Sequence, residues 1–182
     1  MTFYIDSKQK SAVQEIADNL KDRIEKIHRP WADVVFLCIG TDRITGDCLG
    51  PYVGKQLSFL TKEMPGIYVY GTLHRPVHAL NLDAACLEIS RQHPRGLIIA
   101  VDASLGQKKH LGYITIGDGA LLPGAGVHKK LPAVGNLHIT GIVNAGGFLE
   151  HCMLQTTPLS TVITLADIIT AGIRQAIFTG VI

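Results

Sequence analysis

Val34-Val35-Phe36-Leu37-Cys38-Ile39-Gly40-Thr41-Asp42-Arg43-Ile44-Thr45-Gly46-Asp47-Cys48-Leu49-Gly50-Pro51 is the stretch that decides the fold. Its leading apolar run does not alternate with polar residues, which suits a strand buried on both faces. A short central strand is therefore expected over 33–39. A glycine-bearing loop follows, and Val53, Leu57 and Leu60 then mark a helix entered near Gly50-Pro51. Proline fits a first helical turn because the amide it lacks would have been unpaired there. Strand, tight loop and helix make one βα unit, and the pattern recurs along the chain.

Ile67 to Tyr70 reads as a second strand, and Gly96-Leu97-Ile98-Ile99-Ala100-Val101-Asp102 as a third that ends before its aspartate. Between them Asn81 is placed to cap a helix with Leu82, Ala85, Cys86 and Ile89 on its apolar side. Leu111–Ile116 and His138–Val143 are further strand candidates, separated by a turn-rich stretch from Gly117 to Gly126. Thr157, as cap, and Pro158, in the first turn, open a long apolar helix reaching about Ala176. Upstream, Val13, Ile16, Ala17, Leu20, Ile24 and Ile27 recur at helical spacing with charges between them, an amphipathic helix that Pro30 helps to stop. The alternation predicts one domain over 1–182, a three-layer α/β/α sandwich with a mostly parallel sheet, on which the helix within 1–30 packs.

Composition narrows the function. Seventeen basic against fifteen acidic side chains leave a formal charge of +2, which gives no reason to invoke nucleic acid or an anionic membrane. The basic clusters Lys108-Lys109-His110 and His128-Lys129-Lys130 are short and read as solvated loops. Leu159 to Ile173 is apolar, but it is short and Asp167 interrupts it, so a buried helix is expected rather than a span. The polar N-terminal stretch has no signal-peptide pattern. Cys38, Cys48, Cys86 and Cys152 form no CxxC motif, which fits a reducing, cytoplasmic setting. Cys48 borders the glycine loop, but no paired histidine makes it a nucleophile.

The chemistry is carried by carboxylates. In an open α/β sheet Asp47 and Asp102 would both reach the carboxyl edge of the strands, where such proteins keep their sites. A converging pair can share a proton, activate water or hold a metal. Gly46 and Gly50 permit a turn with unusual backbone angles that would aim Asp47 inward. The alternative is that Asp42 and Asp47 only hydrogen-bond their own loop, with Thr41 beside them. The loop lacks both GxGxxG and a Walker ending, so it is not a phosphate cradle. His78 and Asn81 either line a pocket or brace its loop, capping being the stronger reading for Asn81. His138 could join Asp47 and Asp102 around zinc or nickel, although the sequence contains no compact metal motif.

Several blocks carry a resemblance. Val35 to Pro51, Gly71-Thr72-Leu73, Pro76-Val77-His78-Ala79-Leu80-Asn81-Leu82, Val101-Asp102-Ala103-Ser104-Leu105-Gly106, Thr140-Gly141-Ile142-Val143-Asn144 and Gly146-Gly147-Phe148 resemble the YyaC-like sporulation proteins (DUF1256). That family in turn resembles the spore germination protease and the hydrogenase maturation endopeptidases, which share a phosphorylase/hydrolase-like α/β fold. The first resemblance implies a cofactor-free acid-type peptidase with Asp47 and Asp102 as its aspartates. The second implies a divalent metal such as nickel, with Leu137-His138-Ile139-Thr140-Gly141 carrying the histidine ligand onto His138. The resemblance further implies a protein or peptide substrate, a place in the forespore or mother cell, and homo-oligomerisation as an option. The opposing reading is a non-enzymatic spore protein that binds a developmental partner.

Overall fold

The computed structural model describes residues 2–28, 30–124, 131–147 and 149–180. Six strands form one sheet: β1 (Thr2–Asp6), β2 (Asp33–Cys38), β3 (Ile67–Tyr70), β4 (Gly96–Gly106), β5 (Tyr113–Asp118) and β6 (Leu137–Ala145). Their order is β1-β5-β6-β4-β2-β3. β3, β2, β4 and β6 are parallel, and β5 runs antiparallel between β6 and β1. The six helices are α1 (Ala12–Glu25), α2 (Leu49–Leu57), α3 (Leu60–Glu63), α4 (Leu82–Gln92), α5 (Glu150–Gln155) and α6 (Leu159–Phe178). The protein is thus an α/β domain whose mixed, largely parallel sheet is flanked by helices.

The unbroken apolar runs explain the two-sided burial. In β2, Val34, Phe36 and Cys38 face a cluster that includes Ile16, Leu20, Val53, Leu57, Leu165 and Ile169, from α1, α2 and α6. Val35 and Leu37 face the other way, onto Leu82 and Ile89 of α4. Each fully buried Ile, Leu or Phe contributes about 1.5–3 kcal/mol relative to exposure. A strand with apolar residues on both pleats therefore belongs in the middle of the sheet. α6 is long and apolar enough to cross a membrane, but half of that stretch is buried within the fold. Val162, Leu165, Ala166, Ile169 and Ile173 pack it into the core.

One crossing of the sheet positions the site. From β2 the chain passes through α2 to β3, and from β3 it returns through α4 to β4 on the other side of β2. The gap between β2 and β4 is therefore a topological switch point, where the two loops diverge and leave a crevice. Moreover, β4 outruns β2. Their pairing stops at Cys38 and Val101, whereas β4 stays paired with β6 as far as Gly106 and Ala145.

The structure corrects several expectations. Residues 2–6 are not a polar lead-in but an edge strand, with only Ile5 fully turned to the core. The strand expected to stop at Val101 continues, so Asp102 lies inside β4. The strand expected over Leu111–Ile116 is shifted to Tyr113–Asp118. Asn81 occupies the N-cap position of α4 without a capping side-chain bond. Thr157 does not cap α6: its hydroxyl donates to the Met153 carbonyl at 2.7 Å, and Pro158 takes the cap position. The cluster His128-Lys129-Lys130 and the motif residue Phe148 lie outside the described residues.

Candidate active site

Asp47 and Asp102 line one cleft of about 260 Å³ at the switch point. Two backbone approaches fix the first carboxyl. Gly40 has φ +136°, and a Cβ there would overlap the Asp47 carbonyl oxygen. That carbonyl accepts from the Thr41 N–H at 3.1 Å, closing the loop on itself. Gly46 lets the turn press against α5, since a Cβ would sit 2.8 Å from the Leu154 carbonyl and the Thr157 hydroxyl. Gly46 and Gly50 themselves have no positive φ, so close approach rather than unusual backbone angles makes them glycine.

Asp102 is set by the sheet. It pairs with Thr140 of β6 on one side and stands one residue past the end of β2 on the other. It is only 6% exposed, and its Oδ1 accepts from the Ala103 N–H at 2.8 Å. No lysine or arginine is ion-paired with either carboxylate among the described residues. Burial therefore dominates their titration. It pushes Asp47 up to about 6, partly offset by the Thr41 backbone N–H. Burial pushes Asp102 well above the ordinary carboxylate range, and the nearby Asp47 charge adds to it, against the Ala103 N–H. Burial thus favours the neutral form of both carboxyls, and at Asp102 the neighbouring Asp47 charge works in the same direction.

The remaining candidates divide. Thr41 and His78 line the cleft. The His78 Nδ1 accepts from the Leu80 N–H at 3.3 Å, so in the neutral ring the proton sits on Nε2. Asn81 braces this loop: its Oδ1 accepts from the His78 N–H at 2.8 Å and its Nδ2 donates to the Pro76 carbonyl at 3.0 Å. Asp42 is exposed and stands off the cleft wall. His138 shares its face of the sheet with Asp102, being paired with Ala100 two residues back. Its Nδ1 lies 3.1 Å from the Gly119 carbonyl, and its ring packs over Gly117 rather than lining the cleft. Among the described residues no three His, Cys, Asp or Glu side chains gather as a metal donor set. Cys48 does not become a thiolate nucleophile: burial, then Asp42 and Asp47, push its thiol up.

Three cleft residues had no sequence signal of function: Arg43, His151 and the 85%-exposed Leu80. His151 was invisible because α5 has six residues and follows Gly146-Gly147, a stretch with no helical periodicity long enough to read. The rest of the wall is apolar, with Ile39, Ile44, Leu131 and Leu154 prominent.

Residues 4–172 match the family model described as "Protein of unknown function (DUF1256)". The chain belongs to the DUF1256 family. A DUF1256 relative, "Uncharacterized protein YyaC" of Bacillus subtilis (strain 168), is 44% identical over 170 residues, covering 93% of this chain and 81% of that one. Among solved structures, the [NiFe] hydrogenase maturation protease HycI from Thermococcus kodakarensis KOD1 aligns with a TM-score of 0.43 at 16% identity. That alignment covers 83% of the DUF1256 chain and 98% of the protease. A likeness this loose carries no argument about the chemistry of the cleft.

Proposed function

We propose that the protein is a sporulation-associated peptidase that hydrolyses a protein or peptide substrate with Asp47 and Asp102, acting in the cytoplasm of the forespore or mother cell. The observation that carries this reading is that two carboxyls line one cleft at the switch point, with the charge of Asp47 acting on Asp102. In this reading Asp102, whose neutral form burial and the Asp47 charge both favour, donates a hydrogen bond to the scissile carbonyl. Asp47, ionised above about pH 6, takes a proton from the attacking water. Two coupled carboxyls titrate as a pair, so activity rises as pH passes upward through the lower step and falls as Asp102 ionises. The apolar walls suit a peptide segment that brings apolar side chains into the cleft.

The test is digestion of casein and a peptide mixture between pH 5 and 8, with products read by mass spectrometry. New termini are expected from the wild type and none from Asp47→Asn or Asp102→Asn, with folding intact in both. Undiminished cleavage by either variant overturns the proposal. No cleavage by the wild type leaves the cleft as a binding surface for a developmental partner.

A second reading places a divalent ion such as nickel or zinc on Asp47, Asp102 and His138. One observation favours it: the Gly119 carbonyl only accepts, so Nδ1 of His138 carries the proton and Nε2 keeps its lone pair. As the residues stand, however, the three do not converge, and no step is routed through a metal. Calorimetric titration with nickel and zinc decides between the readings. Binding lost in His138→Ala supports the metal site, and equal weak binding by both proteins removes it.

A further inference from the structure

α5 is a wall of the cleft rather than a connector, and it is fastened at two points. At Gly46 the absence of a side chain lets the Leu154 carbonyl seat against the turn that carries Asp47. At the other contact Asn144 of β6 donates through Nδ2 to the Met153 carbonyl at 2.9 Å, and the Thr157 hydroxyl donates to the same carbonyl at 2.7 Å. The helix enters from Leu149, the one described non-glycine residue with positive φ, at 69°. Such a conformation persists only where surrounding contacts impose it. On the cleft side α5 presents Leu154 and, one turn earlier, His151.

His151 is chemically uncommitted. Among the described residues its imidazole takes part in no hydrogen bond and no ion pair. The other cleft histidine differs, because the Leu80 N–H already occupies the Nδ1 of His78. His151 is also exposed to solvent, whereas Asp102 is buried.

We propose that His151 is a third catalytic residue of the same cleft, the proton donor to the leaving amine, an assignment that rests on the peptidase reading above. The atoms balance as follows. Water's oxygen bonds to the scissile carbon while Asp47 takes one of its protons and Asp102 holds the developing oxyanion through its own. As the C–N bond breaks and the carbonyl re-forms, the amine nitrogen takes a proton from the His151 imidazolium, and the second proton of the water is released from the new carboxyl group. The imidazole recovers its proton from solvent, and Asp47 returns its own to solvent. The two carboxyls thus activate water and hold the oxyanion while an exposed imidazolium delivers the proton, a division that neither carboxyl accomplishes alone.

The experiment compares the wild type, His151→Ala and His151→Gln on one peptide found in the casein digest and on the p-nitrophenyl ester of its acyl half. p-Nitrophenolate leaves without being protonated, so the ester bypasses the step assigned to His151. Both variants are expected to lose about 10²-fold in kcat on the peptide with KM within two-fold of wild type, and to hydrolyse the ester within about three-fold of it. Equal losses on peptide and ester, or no loss on the peptide, overturn the assignment while leaving the aspartate pair in place. Failure of the wild type to cleave either probe overturns the peptidase reading and this one with it. Unfolding curves exclude a trivial loss, since an exposed residue on a short helix is not expected to shift Tm.

Discussion

Two sets of ionisable groups lie against this sheet, and they are built on opposite plans. At the end of α4, His93 is 6% exposed and held from two sides: its Nδ1 lies 3.0 Å from Asp33 Oδ2 and its Nε2 lies 3.1 Å from the Tyr70 hydroxyl. That hydroxyl donates to Gln92 at 2.8 Å, and the Tyr68 ring lies 4.1 Å from the imidazole centroid. Both imidazole nitrogens there have a partner. In the cleft Asp47 and Asp102 stand among largely apolar walls, and among the described residues neither is ion-paired with a lysine or arginine. A satisfied network fixes a structure. A pair of carboxyls pushed up by burial and left without a counter-ion carries a cost, which marks a cleft as a candidate functional site.

The comparison breaks most directly at the carboxyls. Asp47→Asn and Asp102→Asn are expected to lower peptidase activity about 10³-fold while raising stability above neutral pH. The sign follows from the raised values. A carboxyl whose folded pKa exceeds its unfolded one binds more protons when folded, so stability falls as pH rises from about 4 through about 6 for Asp47, and further for Asp102. Thermal unfolding between pH 4 and 8 should show that fall in the wild type and a flatter curve in Asp102→Asn. Destabilised variants would instead mark both aspartates as supports.

His93→Ala should do the reverse. It removes the partner of Asp33 Oδ2, one of the two partners of the Tyr70 hydroxyl and the ring packed on Tyr68, costing about 2–3 kcal/mol with activity retained on a per-folded-molecule basis. Denaturant titration beside an activity assay measures both. Gly46→Ala sharpens the comparison because it touches both properties. Its methyl must push back the Leu154 carbonyl, costing about 1–3 kcal/mol and displacing the turn that bears Asp47, so both Tm and kcat should fall. Asn81→Ala is expected to be mildest, about 1 kcal/mol, with a raised KM as the loop around His78 loosens.

The central βα unit and both acids were legible because their signals are local. An unbroken apolar run followed by glycines reads the same in sequence as in space, and strands of a parallel sheet end where sites lie. What was not legible depends on neighbours. β1 is five residues with Ile5 alone buried, too little pattern to distinguish it from a polar leader, and it is a strand because β5 pairs with it. β4 runs past Asp102 through small and polar residues because β6, alone, still pairs there. Asn81 has the right type and position for a cap, yet the turn before it offers closer partners in His78 and Pro76. His138 was placed correctly on its strand, but its hydrogen bond to Gly119 and its packing over Gly117 come from β5 and the turn beyond it. His151 depends on a six-residue helix whose place is set by a missing methyl group at Gly46.

The acids and the walls of the cleft belong to different kinds of structure. Asp102 is part of the sheet, and Asp47 is clamped against it through Gly40. The walls come from the segment after β3, the turn beyond β5 and α5. Descendants of this chain can therefore lengthen, shorten or rewrite the segments after β3 and β5 without moving either carboxyl, whereas α5 is tied to the Asp47 turn at Gly46. On the peptidase reading the two acids and the segments after β3 and β5 are separable pieces, and divergence in what such proteins recognise should accumulate in those segments while the two acids stay where they are.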